Sequence, residues 1–219
     1  MKRPTLLLSL VLLAGMVSPA RTQTTLPPVE SADSAELHSQ CQRLLEALER
    51  IPASLRADSS LGLMAALREA ARTAAGSAAK VQKLLDPFCL ILVTVNPESR
   101  VKALRGPAPT RLTQGRELLV LVKVVNDGGV TQALKVTGPQ LRSGEKPNGR
   151  GWLEATVHAE APLRKALSGR KVEYVILGLT AHEAGKREAT LKFDVGQGTQ
   201  DLGFRAEVPI LFTVQPLER

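Results

Sequence analysis

Aromatic side chains are scarce in this 219-residue chain: one tryptophan, one tyrosine and four phenylalanines make up 3% of it. Surfaces that bind sugars or nucleic-acid bases by stacking need several exposed rings, so the composition argues against both. Histidine and cysteine are also rare, with three and two copies, too few for a multi-metal site or a disulfide-rich scaffold. The hydrophobic fraction of 43% is still large enough for the core of one ordinary domain.

Apolar runs long enough to span a bilayer, about 20 residues, are missing from the sequence. The longest run, residues 6–17, follows Lys2 and Arg3 and precedes the small residues at 18–20. This order is typical of a secretory signal peptide over residues 1–20; the alternative is an uncleaved N-terminal anchor. We therefore expect an exported protein, periplasmic or extracellular, without stable membrane insertion after cleavage.

The chain is basic. Removal of the leader lowers the basic residues from 29 to 27 against 21 acidic ones, so the net charge falls from +8 to +6. A basic exported protein can meet acidic proteins or anionic envelope polymers, whereas nucleic acid does not fit the compartment or the few aromatics. Five basic residues crowd residues 98–117 and form either an anion-binding edge or a solvated loop or blunted edge strand: Arg100, Lys102, Arg105, Arg111 and Arg116.

The N-terminal third has helical periodicity. Residues 21–32 are polar with two prolines and predict a tether. Apolar residues at spacings of three and four then predict one helix up to Ile51 and a second from about Ser60 to Leu85. Two helices joined by a short turn make a helical hairpin over residues 33–86.

After Pro87 the hydrophobic period becomes two. About seven strands are separated by Gly-, Pro- and Asn-containing loops, and Asn126 to Gly129 is typical of a hairpin turn. Residues 88–219 therefore predict an antiparallel, immunoglobulin-like β-sandwich, which makes the whole chain mainly β with an N-terminal helical hairpin.

Catalytic and metal-binding patterns are weak. His38, His158 and His182 have no ligand spacing, and His182-Glu183 starts an HExxH motif that lacks its second histidine. No serine sits in a GxSxG motif. We expect no catalytic residue, no metal site and no cofactor.

The glycine-rich stretch after residue 195 is the candidate binding loop, because its glycines let backbone amides approach a partner and its polar side chains donate and accept hydrogen bonds. It resembles a dinucleotide turn only at Gly-x-Gly, without the helix that a phosphate site needs. The alternative is that this stretch only connects two strands and has no binding role. The candidate residues are Gly196, Gln197, Gly198, Thr199, Gln200, Asp201 and Arg205.

Cys41 and Cys89 are an even pair in a chain that we expect to be exported. A disulfide between them is the default in an oxidising compartment; two buried free thiols are the alternative. The bond would tie the first helix to the start of the sandwich.

Four stretches of the chain resemble a known family: LDPFCLILVTVNPESRVKALRGPA, ELLVLVKVVNDGGVTQALKV, GWLEATV and KVEYVILGLTAHEAGKREATLKFDVGQGTQDLGFRAEVPILFTV. Together they are similar to the N-terminal region of secreted metallohydrolases of the CehA/McbA type from planctomycete-type bacteria, enzymes with a PHP-like metal site. The resemblance covers roughly residues 80–216 and implies a non-catalytic β-sandwich that precedes a hydrolase domain. This chain lacks the ligand set of that domain, so no catalytic residue is carried over.

The sequence therefore predicts a secreted, non-enzymatic interaction module of unknown ligand with a protein partner. A secreted hydrolase is one candidate for that partner. One alternative is an accessory subunit or detached N-terminal domain of a CehA/McbA-type metallohydrolase. Another is an envelope protein that binds a polyanion or glycan, which the few aromatics weaken.

Overall fold

Three layers stack on one another in the computed structural model, which describes residues 25–55, 57, 60–73, 77–142, 151–196 and 205–217. A layer of helices covers one face of a five-stranded sheet, and a four-stranded sheet covers the other face. The chain is mainly β, as its periodicity predicts. The expected leader, residues 1–20, lies outside the described residues.

The helical layer contains α1 (Ser34–Arg50), α2 (Ser60–Arg72) and α3 (Ala78–Leu85), followed by a short 3-10 helix, Asp86–Phe88. The prediction of a two-helix hairpin is wrong, because the second predicted helix is two helices. The Thr73 hydroxyl donates to the Glu69 carbonyl at 3.0 Å, where α2 ends. Ser77 then accepts from the Lys80 N–H at 3.2 Å and caps α3.

Nine strands are present in the described residues, two more than the approximate number expected. The five-stranded sheet has the order β2-β1-β4-β7-β6 and the four-stranded sheet the order β3-β9-β8-β5. β2 and β3 escaped the sequence analysis because they are short and partly polar. The strands are β1 (Cys89–Val95), β2 (Val101–Arg105), β3 (Arg111–Thr113), β4 (Glu117–Asn126), β5 (Lys135–Thr137), β6 (Leu153–Val157), β7 (Val172–Ala181), β8 (Gly185–Asp194) and β9 (Arg205–Gln215).

Both sheets are mixed, which corrects the expectation of purely antiparallel pairing. β1 is parallel to β4, and β3 is parallel to β9. The expected hairpin after β4 is absent, because β4 and β5 belong to different sheets. Instead, the Asn126 side chain donates to the Val130 carbonyl at 2.8 Å and accepts from its N–H at 3.0 Å. This amide holds the turn while the chain crosses to the second sheet.

Two hydrophobic cores lie on opposite faces of the five-stranded sheet. Along β4, Val120 and Val122 face the four-stranded sheet, whereas Leu119 and Leu121 face the helices. Alternate residues of one strand point to opposite faces, so a strand covered on both sides is apolar at nearly every position. The five-stranded sheet therefore contributes side chains to both cores, one with the helices and one with the four-stranded sheet.

Residues 25–32 are packed against the molecule, which corrects the expectation of a tether. Leu26 is buried among the helices. The side chain of Gln82 on α3 accepts from the Val29 N–H and donates to the Val29 carbonyl, both at 2.9 Å. A buried amide with both of its groups paired to one backbone residue fixes this segment in register. We call residues 25–32 the strap.

Candidate functional site

A buried polar cluster lies between the helices and the five-stranded sheet. Lys123 of β4 is 0% exposed, and its ammonium donates to Asp86 Oδ2 at 2.8 Å and to the Pro27 carbonyl of the strap at 3.2 Å. The Tyr174 hydroxyl of β7 donates to Asp86 Oδ1 at 2.8 Å. Each carboxylate oxygen of Asp86 therefore has its own donor, as a buried charge requires.

Burial dominates the electrostatics of this cluster. It raises the pKa of Asp86 above its usual value, although hydrogen bonding and charge from Lys123 oppose the shift. Burial also raises the pKa of Tyr174, which the Asp86 charge raises further. A phenol with a raised pKa stays protonated at neutral pH. The cluster thus joins strap, helix layer and sheet by fixed hydrogen bonds.

Cys41 and Cys89 border this cluster on its apolar side. Both are buried in the helix-facing core and both are free thiols in the structure. Burial raises the pKa of Cys41 to about 12 and that of Cys89 well above its usual value, so neither is a thiolate at neutral pH. The disulfide between Cys41 and Cys89 stays a prediction. Both cysteines belong to the same hydrophobic core.

Two histidines pair with carboxylates near the β6 edge of the five-stranded sheet. His158 Nε2 lies 2.9 Å from Glu117 Oε1, and His182 Nε2 lies 3.4 Å from Glu154 Oε2. The first pair covers Gly178 of β7, where a Cβ would collide with the Glu117 carboxylate and lie 2.8 Å from His158 Nε2. The glycine makes room for that pair.

Neither pair belongs to a metal centre that the described residues assemble: they contain no group of three or more histidine, cysteine or acidic side chains suited to a metal ion. His38 lies on α1, where its Nε2 is 3.3 Å from the Gln42 amide nitrogen. Over the same described part of the chain, every helix is too short or too polar to cross a membrane.

The predicted glycine-rich loop falls mostly outside the described residues. Its first member, Gly196, has a φ of +73°, and its N–H donates to Asp194 Oδ1 at 2.6 Å. Its last member, Arg205, begins β9. The remaining candidates, Gln197, Gly198, Thr199, Gln200 and Asp201, lie in the part that the structure does not describe. The binding role of this loop stays a prediction.

The basic residues of the stretch 98–117 differ in their contacts: two of them donate to backbone carbonyls, and another is exposed on β3. Arg105 is partly buried, and its guanidinium donates to the carbonyls of Leu90, Gly106 and Ala108. Desolvation lowers the pKa of Arg105 from its usual value, and a guanidinium stays charged under all ordinary conditions. Arg116 donates to the Ser54 carbonyl. Arg111 is exposed on β3.

A groove of about 790 Å³ runs beside β3, the edge strand of the four-stranded sheet. Arg105 and Arg111 line it, together with hydroxyl and amide side chains of β3 and β9. The residues described as lining it include no aspartate or glutamate. The groove therefore has a cationic wall and several hydrogen-bonding groups. We call it the cationic groove; its polar members besides the arginines are Thr110, Thr113, Thr213 and Gln215.

The open edge of β3 borders the cationic groove. The Thr213 N–H donates to the Thr110 carbonyl at 3.0 Å, and the Gln114 N–H donates to the Gln215 carbonyl at 2.8 Å. Backbone groups alternate in direction along a strand, so the N–H groups of Arg111 and Thr113 point away from β9. These two N–H groups therefore lie on the edge of β3 that has no neighbouring strand in the four-stranded sheet, and they belong to residues that line the groove.

Sequence reasoning missed the buried cluster and found only part of the cationic groove, because it named Arg105 and Arg111 as members of a candidate anion-binding edge without the other residues that line the groove. Lys123 is the one charged residue in residues 118–125 of β4, which are otherwise apolar. A buried charge at such a position needs a partner, so the sequence did carry a signal for this cluster. The cationic groove combines β3, the segment before it and the end of β9. No local pattern joins segments that lie 100 residues apart.

Comparisons with known proteins give little further guidance. No family model matches the chain, and no curated protein matches it. Among solved structures, it is similar to the crystal structure of a cysteine protease inhibitor, EhICP2, from Entamoeba histolytica. The identity is 11% and the TM-score 0.24, over 57% of this chain and 95% of that chain. This likeness is too weak to support a conclusion on fold or function.

Proposed function

We propose that this protein is an exported, non-catalytic binding module and that the cationic groove is its binding surface. The observation that carries the proposal is the wall of the groove, where Arg105 and Arg111 stand among hydroxyl and amide groups and the described lining has no carboxylate. Two guanidinium groups on a wall without carboxylates attract anionic groups. The exposed Arg111 can hold a carboxylate through two parallel hydrogen bonds, while Arg105 adds its positive charge.

The architecture supports this role. We treat the facing sheets as an immunoglobulin-like sandwich, a fold class that commonly mounts binding groups on loops and edges around a rigid core. Arg105 is held by three backbone carbonyls, so its position is fixed before a ligand arrives. A fixed guanidinium loses little conformational entropy on binding. The resemblance to the N-terminal region of CehA/McbA-type proteins suggests a secreted hydrolase as one candidate partner.

Arg111→Glu tests the proposal. Arg111 is exposed on a short edge strand, so its replacement should change stability by no more than about 0.5 kcal/mol. Lys135→Glu is the matched control, because Lys135 is an exposed cation on β5, at the opposite edge of the same sheet. Mature protein beginning at residue 21 would be used to capture partners from its own envelope fraction, with identification by mass spectrometry.

Wild type and Lys135→Glu should recover the same partner, and Arg111→Glu should lose it. The recovered partner is then purified and titrated against all three proteins. Equal recovery by Arg111→Glu and wild type would show that the cationic groove is not the binding surface. Turnover of phosphoesters or carboxylesters by the pure protein, lost on replacing His158 or His182, would contradict the non-catalytic assignment.

A further inference from the structure

A second pocket adjoins the cationic groove. It has a volume of about 530 Å³ and is lined largely by apolar side chains from four parts of the chain: the strap, α3, the 3-10 helix and the segment after β2. Pro107 lines both this pocket and the cationic groove, so the two cavities meet at one residue. We call it the apolar pocket; its apolar members are Leu26, Pro28, Ala79, Pro87 and Pro107.

The strap wall of the apolar pocket is fixed by the contacts described above. Gln82 holds Val29 at both backbone groups, and Lys123 holds the Pro27 carbonyl. These contacts flank Leu26 and Pro28, the strap residues that form the wall. A wall fixed in advance does not have to be ordered when a ligand binds.

The charge of the apolar pocket is close to balanced among its described lining residues. Asp86 reaches the pocket, but Lys123 neutralises it and Tyr174 takes its other oxygen. Lys83 stands on the rim. An apolar group can therefore enter without meeting an unpaired buried charge.

We propose that the two cavities together bind an extended segment of a partner protein, with an apolar side chain in the apolar pocket and acidic side chains in the cationic groove. This rests on the proposed function and names its ligand class. The outward N–H groups of Arg111 and Thr113 suit the backbone carbonyls of an extended chain. Polyphosphates and acidic polysaccharides supply anionic groups, but they have no apolar side chain for the second pocket.

Two substitutions separate the cavities. Arg111→Glu reverses charge in the cationic groove. Ala79→Glu places a carboxylate in the apolar pocket; Ala79 is exposed in the first turn of α3, where an acidic residue suits the helix dipole. Ala35→Glu is its matched control, because Ala35 is exposed at the same position in the first turn of α1.

The experiment measures fluorescence anisotropy of labelled synthetic peptides on the mature protein and its variants. One peptide carries glutamates around a central leucine, a second replaces the leucine by serine, and a third replaces the glutamates by glutamine. Polyphosphate and polygalacturonate are tested as unlabelled competitors. Burying a leucine side chain corresponds to roughly tenfold in affinity or more, so serine should weaken binding by about that factor.

Ala79→Glu should remove the preference for leucine over serine, while Ala35→Glu and Lys135→Glu keep it. Arg111→Glu should remove the preference for glutamate over glutamine. Equal binding of the leucine and serine peptides, or a leucine preference that Ala79→Glu leaves intact, would overturn the inference. So would polyanions that compete as strongly as the leucine peptide with no effect of Ala79→Glu.

The two proposals fail differently. If the envelope partner is lost in Arg111→Glu but none of the peptides binds, the cationic groove remains the binding surface and the peptide assignment is wrong. If the partner is captured equally by wild type and Arg111→Glu and the peptides do not bind, both proposals are wrong.

Discussion

The two sheets of this molecule differ in how many of their faces are covered. β4 of the five-stranded sheet has helices on one face and the other sheet on its second face, and it is buried at eight of its ten positions. β8 of the four-stranded sheet buries every second residue from Ala189 onward and exposes the others in part. Strands covered on both faces are continuously apolar, and strands covered on one face alternate apolar and polar residues. The hydrophobic pattern of each strand therefore indicates whether one or both of its faces are covered.

The same difference applies to ion pairs. Lys123 and Asp86 pair between the layers, where the Lys123 side chain is fully buried and that of Asp86 is 12% exposed. Lys192 and Glu207 pair on the open face of the four-stranded sheet at 2.5 Å. A buried charge depends on its partner, and an exposed one has water instead. Substitutions at the two pairs therefore compare how much a lysine–carboxylate pair contributes to the free energy of unfolding when it is buried and when it is exposed.

The largest effect is expected from Asp86→Ala. It leaves the Lys123 ammonium buried without its counter-charge and deprives the Tyr174 hydroxyl of its acceptor. Removing one partner of a buried ion pair typically costs about 3–5 kcal/mol. Urea unfolding followed by circular dichroism measures the free energy of unfolding. A loss below about 1 kcal/mol would mean that water reaches Lys123.

The second effect concerns Cys41 and Cys89. Peptide mapping without reductant should find them linked, and reduction of that bond should lower the free energy of unfolding by about 2–5 kcal/mol. Because both thiols are buried, resistance of the native protein to alkylation does not demonstrate a bond. Free thiols must be counted in denaturant. Two thiols per chain in denatured, unreduced protein isolated from its native cells would contradict the prediction.

The reduced protein also has a distinct pH dependence. The pKa of Cys41 is about 12 in the folded state, against 9.0 for an unperturbed thiol. The unfolded chain therefore releases this proton first, and stability falls as pH rises from about 9 towards 12. The disulfide form has no such proton. Comparing unfolding with and without reductant at pH 8 and pH 10 measures the contribution of both thiols, because burial raises the pKa of Cys89 as well. Cys41→Ser, which keeps only the Cys89 thiol, separates the two contributions.

A smaller effect is expected at Gly178, on the helix-side face of the five-stranded sheet. A Cβ there displaces the Glu117 carboxylate and breaks its contact with His158. The clashing carboxylate stands at the end of the flexible Glu117 side chain and can move aside. We therefore expect Gly178→Ala to lower the free energy of unfolding by about 1 kcal/mol, at the low end for overpacking. The loss should shrink in a Glu117→Ala background. Equal losses in both backgrounds would mean that the backbone resists the Cβ instead.

The sequence predicts the parts of this fold that repeat locally. The spacing of Leu37, Cys41, Leu44 and Leu48 identifies α1, and the apolar run at 117–125 identifies β4. It does not predict that β1 lies parallel to β4 or that β4 and β5, which follow each other in the chain, belong to different sheets. Those pairings depend on contacts between strands that are distant in sequence. The three-residue β3 shows too few alternations to be recognised. The sequence therefore indicates the basic residues Arg105 and Arg111 as a candidate anion-binding edge, but not the contribution of β9 to the groove.

The smallest effect is expected at the exposed pair. Lys192 and Glu207 face each other on β8 and β9, and their side chains are 39% and 53% exposed. Exposed pairs contribute from nothing to about 1 kcal/mol, and salt screens them. We expect Glu207→Ala to lower the free energy of unfolding by less than 1 kcal/mol at low salt and by less still at 1 M salt. The Asp86→Ala loss should hardly change with salt, because its partner is shielded from ions. If both losses respond to salt equally, the two faces do not differ in solvent access as the layers imply.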